Sequence, residues 1–211
     1  MDLIGVVFEN VSRSDKVLVS FPDMYSFLAV SKKITEYYTT DVVWVLWTDA
    51  AVERINHLGA KFGFPKKNDV ILIGTSQNCE FLTEIGRLRV SNDLPNDLSK
   101  FISDDDVIIS MGFDFLEIYG YDLSHAVKTI VGQKKGITFN CITYVANKKN
   151  IIEKISMFHD VFIEVEEESE PAVTYHTYRI NLRHSLRGGI AQFNETINLG
   201  VGELSSGYKH F

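Results

Sequence analysis

Residues 41–47 read DVVWVLW, with no polar side chain between Val42 and Trp47. A strand with one face in water alternates polar and apolar residues. A run that is apolar on both faces has to be covered from both sides, which is how a central strand of a parallel sheet lies between helical layers. Residues 16–21 (KVLVSF), 69–74 (DVILIG), 107–111 (VIISM) and 137–146 form further short apolar runs. Between them the period changes to that of a helix. Phe27, Val30, Ile34 and Tyr37 recur at three- and four-residue spacing after the start signal Pro22-Asp23. Ala51, Ile55, Leu58 and Phe62 do the same after Thr48-Asp49, and Gly63 and Pro65 end that stretch. Shorter helices are predicted over 94–102, entered through Pro95, and over 121–131 and 150–158. Strands alternating with helices in this way predict an α/β domain with a mostly parallel sheet and helices on both faces.

The end of the chain has another character. Residues 161–165, 174–185 and 191–199 are strand-like with no helix between them, and Gly188-Gly189 separates the last two as a hairpin signal. The residues from Tyr175 to His184 alternate between two faces, as in a strand near a sheet edge. Five carboxylates between Glu164 and Glu170, followed by Pro171, read as an exposed turn joining two strands. One domain over residues 1–211 closed by an antiparallel C-terminal hairpin is the resulting expectation.

Composition narrows the function. Apolar residues make up 45% and charged residues 23% of the 211, a globular balance. The 28 acidic residues exceed the 21 basic ones and leave a formal charge of −7, which argues against sequence-blind binding to a phosphate backbone. Arg179, Arg183, Arg187 and Lys32-Lys33 are too few to reverse that. Cys79 and Cys141 stand far apart without a CxxC or histidine spacing, so buried reduced thiols in a cytoplasmic protein are expected rather than a disulfide framework or zinc site. No run reaches the ~20 apolar residues that cross a bilayer, and no basic signal-peptide region opens the chain.

The six histidines form no HxxxH or HExxH pair. His176 and His184 lie an even number apart on one strand and are expected to share a face, but without acidic or thiol ligands at fixed spacing no metal is expected. Ser20, Ser110 and Ser185 lack a nucleophile elbow. Cys141 is read as core. Trp44 and Trp47 are core candidates. Phe113, Phe115, Tyr119 and Tyr121 are either a buried helix start or an exposed patch for a protein partner.

The strand order resembles the RecA-like ATPase core, a three-layer fold, and more narrowly the archaeal KaiC-like proteins. In that family a strand of the form VLVSG leads to a phosphate loop, and residues 16–20 (KVLVS) hold that place. A second strand ends in an acidic pair and enters a helix with a phrase like "ELI…AKSFGW"; residues 41–49 and 51–64 (AVERINHLGAKFGF) are similar. Residues 182–189 (LRHSLRGG) resemble the family's "KMRGS" strand end, with Arg187 at its arginine and Ser185 at its lysine. The resemblance implies a nucleotide site whose parts are missing. A phosphate loop needs G-x-x-x-x-G-K-[ST], so that backbone amides wrap the phosphates and lysine meets their charge. Phe21, Pro22, Asp23, Met24, Tyr25, Ser26, Phe27 and Leu28 stand there with neither glycine nor lysine. A carboxylate at ~4 Å from a phosphate costs on the order of 4 kcal/mol at an effective dielectric of ~20. The magnesium-orienting aspartate at the end of the 107–111 strand is replaced by Ser110-Met111, and Asp114 lies just beyond.

The resemblance therefore implies a pseudo-ATPase without cofactor, acting as a regulatory or protein-interaction module. Its expected partner is a second copy or an active paralogue, and nucleic acid and membrane are not expected as partners. Two alternatives stay open. One is a different small ligand at the carboxyl ends of the strands, among Thr48, Asp49, Ser110, Asp114 and Arg187. The other is an accessory nucleic-acid binder of the recombinase-paralogue kind.

Overall fold

The computed structural model describes residues 3–38, 42–62, 68–73, 88–91, 98–116, 123–143, 149–168, 175–186 and 194–200. The strands are β1 (Lys16–Phe21), β2 (Val42–Leu46), β3 (Asn68–Ile73), β4 (Leu88–Ser91), β5 (Val107–Met111), β6 (Ile137–Thr143), β7 (Val161–Glu167), β8 (Tyr175–Ser185) and β9 (Asn194–Gly200). They form one sheet in the order β4-β3-β2-β5-β6-β1-β7-β8-β9. All pairings from β4 across to β7 are parallel, and the pairings of β7 with β8 and β8 with β9 are antiparallel.

The helices are α1 (Leu3–Asn10), α2 (Met24–Tyr37), α3 (Asp49–Phe62), α4 (Leu98–Phe101), α5 (Leu123–Gly132) and α6 (Lys149–Ser156). Right-handed crossovers decide which face each helix covers. The chain steps one way across the sheet from β1 to β4, and α2 and α3 lie on one face, joined there by α1. It steps back from β4 through β5 and β6 to β7, and α4, α5 and α6 lie on the other. The pleat sorts the core to match. Val17, Val19, Phe21, Val42, Trp44 and Leu46 pack with Val7, Phe27, Ile34 and Ile55. Leu18, Val43, Val45 and Trp47 pack with Leu98, Ile130 and Ile155. This is the three-layer α/β arrangement that the doubly apolar 42–47 run requires. Trp44 and Trp47 are fully buried, and Cys141 is buried in β6, where burial first and the charge of Asp114 second push its thiol pKa up.

One local expectation needs correction. The segment expected as an acidic turn is mostly strand: Glu164, Glu166 and Glu167 lie in β7, opposite Asn181, Arg179 and Tyr178 of β8. Of the helix expected over 94–102, the described residues show α4 (Leu98–Phe101), and residues 94–97 with Pro95 lie outside the described residues. α1 and β4 are additional elements. Gly188-Gly189 also lie outside the described residues, although β8 and β9 pair antiparallel.

Candidate functional site

Connections from β1 and β6 leave toward opposite faces of the sheet, so a crevice opens outside the carboxyl ends of these neighbouring strands. Its first wall is the turn from β1 into α2. Pro22 offers no amide hydrogen, and Asp23 adopts the extended backbone of an N-cap. Its Oδ1 accepts from the backbone N–H groups of Tyr25 at 2.8 Å and Ser26 at 2.9 Å. The Ser26 hydroxyl turns back to the Asp23 carbonyl at 2.9 Å. A helix start presents free amides and a partial positive charge to an anion; here the chain's own carboxylate takes that place. Beneath it the Phe21 and Phe27 rings meet edge-on with centroids 5.5 Å apart, and Phe27 continues onto Trp44 at 6.2 Å. Leu28 is buried with them, while Met24 and Tyr25 are partly covered.

The second wall joins β2 and β5. Thr48 is buried and caps α3, its hydroxyl accepting from Ala51 N–H at 3.3 Å, and Asp49 opens that helix. Gly112 follows β5 at φ +93°, and a Cβ there would lie 2.6 Å from Ala51 Cβ and 2.9 Å from Thr48 Oγ1. Only glycine allows this approach. Ser110, at the position where the family resemblance places a metal-orienting carboxylate, accepts the Trp47 indole N–H at 2.7 Å and is buried. Asp114 sits in the 3₁₀ turn Phe113–Phe115, buried, and its Oδ2 receives the Thr143 backbone N–H at 3.3 Å and hydroxyl at 3.4 Å across the crevice floor. These contacts tie β5 to β6.

Phe113 and Phe115 are buried, so they form no exposed patch. The Arg54 guanidinium carbon lies 5.3 Å from the centroid of the Phe115 ring. Tyr119, Tyr121 and Arg187 lie outside the described residues. An open groove of about 440 Å³ runs beside the plugged turn, lined by Met24, Ala50, Glu53, Arg54, His57 and Leu58. Of the basic residues singled out above, Arg179 pairs with Glu168, Arg183 with Glu164 and Glu166, and Lys32 with Glu36.

One constellation escapes sequence reasoning. The Tyr178 hydroxyl donates to Asp23 Oδ2 at 2.8 Å, joining β8 to the start of α2. Burial first, then this bond to the carboxylate, raise the Tyr178 pKa far above its ordinary value. His176, two residues earlier, stacks on Tyr25 at 5.4 Å and on Tyr178 at 5.9 Å, and its Nδ1 lies 3.2 Å from Glu167 Oε1. His184 does not join it. The register of β8 against β7 shifts between Phe162 and Ile163, with Arg183 as the extra residue, and such a bulge exchanges the two faces. His184 Nε2 meets the His159 carbonyl at 3.0 Å instead. The expected shared face for the two histidines is therefore corrected.

No known protein-family model matches the sequence. Among solved structures, the fold is similar to that of the Pyrococcus horikoshii OT3 protein PH0250, with a TM-score of 0.63 at 15% identity over 89% of this chain and 95% of that one. It is also similar to the P. horikoshii protein PH0321, solved in complex with an unknown peptide, with a TM-score of 0.52 at 9% identity over 90% of this chain and 94% of that one. At these identities the likeness is one of fold, a mostly parallel α/β sheet. Among the described residues no helix is long and apolar enough to cross a membrane. A relative in sequence is an uncharacterised protein of Archaeoglobus fulgidus, 37% identical over 196 residues that span 93% of this chain and 97% of the relative. Similarity of that extent end to end makes this chain a member of the same archaeal family.

Proposed function

We propose that the chain is a non-catalytic relative of RecA/KaiC-like ATPases that serves as a protein-interaction or regulatory module. The observation that carries this reading is the Asp23 carboxylate seated on the first amides of α2, where a nucleotide phosphate would need to sit. A triphosphate would have to displace a like charge from donors already satisfied, above a floor of Phe21 and Phe27 that cannot yield space. Ser110, turned to the Trp47 indole, provides no carboxylate for magnesium.

Exposed apolar residues at the other end of the sheet support this reading. Met157 and Leu186 are 70% and 68% exposed, Phe158 is beside Met157, and the Leu186 N–H bonds the Asp160 carbonyl at 2.8 Å. Large apolar side chains left in water are candidates for contact surfaces. The peptide held by the similarly folded PH0321 agrees with such a role. A second reading, a small ligand held in the groove of Glu53, Arg54 and His57, rests on that open space beside α3.

Isothermal titration of the full chain with ATP and magnesium tests the main reading. No heat of binding and no phosphate release are expected; micromolar binding with turnover would overturn it.

A further inference from the structure

We propose that Asp23, Glu167 and His176 form a binding site for one divalent transition-metal ion, with Zn²⁺ as the best-matched occupant. One donor atom from each residue lies within 4.8 Å of the other two. In a tetrahedral site with bonds of about 2.0–2.1 Å, neighbouring ligand atoms stand roughly 3.4 Å apart. The edge between His176 Nδ1 and Glu167 Oε1 already measures 3.2 Å. An imidazole with two carboxylates suits Zn²⁺ or Co²⁺, whereas Mg²⁺ and Ca²⁺ prefer oxygen alone.

The surroundings hold the donors in place. Asp23 Oδ1 is anchored by the Tyr25 and Ser26 amides, which leaves Oδ2 toward β8. The Tyr178 hydroxyl binds that oxygen and orients it, as partners of metal-ligating carboxylates do. The imidazole ring lies nearly parallel to the rings of Tyr25 and Tyr178, at 19° and 12°, so its plane is set before any ion arrives. Charge favours a cation too. With a neutral imidazole the trio carries two negative charges, and among the described residues neither carboxylate forms an ion pair with Lys or Arg. The three residues come from the start of α2, the end of β7 and the start of β8, so one ion would fasten the β1–α2 turn to the antiparallel end of the sheet, with water completing its coordination.

The test is a titration of the metal-free full chain with Co²⁺, followed by visible d–d absorption, and with Zn²⁺ by competition. One ion per chain is expected, with a rise in Tm on Zn²⁺ addition. His176→Gln and Glu167→Gln should each weaken binding at least tenfold while the metal-free proteins unfold at the wild-type temperature. Asp23→Asn, which keeps the helix cap, should weaken it similarly. Absence of saturable one-to-one binding, or affinity unchanged in both His176→Gln and Glu167→Gln, would overturn the site.

Discussion

The turns after β1 and β2 use the same local device and put it to different ends. Each passes from a buried strand through a short polar N-cap into a helix on the same face, Asp23 in one and Thr48 in the other. Thr48 has one hydroxyl and spends it on its own helix, and what governs that turn is space, since Gly112 presses against Thr48 and Ala51. Asp23 has two oxygens and divides them, one for its helix and one for Tyr178 on β8. A cap with a spare acceptor can thus bind a distant strand, and the turn it closes is governed by charge.

The largest effect should come from the crowded turn. Gly112→Ala combines a left-handed backbone, worth about 1–2 kcal/mol, with a contact that costs about 1–3 kcal/mol to relieve. Urea unfolding should show a loss of about 3 kcal/mol, and pairing it with Ala51→Gly should recover only the part that comes from the Ala51 methyl. Asp23→Ala removes a cap worth about 1 kcal/mol and leaves the Tyr178 hydroxyl without its acceptor, a further 1–2 kcal/mol or so. Asp23→Asn should cost under about 1 kcal/mol, since the amide caps as well and can donate to the Tyr178 oxygen. Equal losses for the two variants would break the claim that one carboxylate serves two elements.

A control for charge arguments comes from His159, remote from both turns. It is buried, its Nδ1 on the Ile155 carbonyl at 2.8 Å and its Nε2 on the Asn140 amide at 3.0 Å, and burial lowers its pKa to about 4. The unfolded chain therefore takes up this proton first, so stability is complete above about pH 6.5 and falls as pH drops toward 4. Between pH 7 and 5 the loss should be about 2 kcal/mol, measured by urea midpoints, and His159→Gln should flatten that slope. Thr48→Ala should cost about 1 kcal/mol, less than Asp23→Ala, because its bond is local; a loss as large as that of Asp23→Ala would erase the contrast between the turns.

The sheet is legible from the chain because its strands are buried on both faces: β1, β2 and β5 coincide with apolar runs of unmistakable kind. Leu88–Ser91 (LRVS) is not, being four residues long with an arginine inside. The carboxylates of β7 mislead for a related reason. A charge run reads as solvated turn until its partners are known, and Arg179 and Arg183 reach it only through antiparallel register. The bulge at Arg183 leaves no mark in the alternation of His176 to His184, yet it decides which face each histidine occupies. Asp23 illustrates the limit most clearly. Its capping role is written in Pro22-Asp23-Met24, whereas its bond to Tyr178 spans 155 positions and depends on where β8 lies.

The place of β1 between β6 and β7 also bears on how the chain is made. Residues 16–21 leave the ribosome early, but their hydrogen-bonding neighbours are residues 137–143 and 161–167. At synthesis rates of about 5–20 residues per second, this apolar ribbon waits on the order of ten seconds for its second flank. Any cellular factor that shields nascent polypeptides has its longest engagement with that first strand.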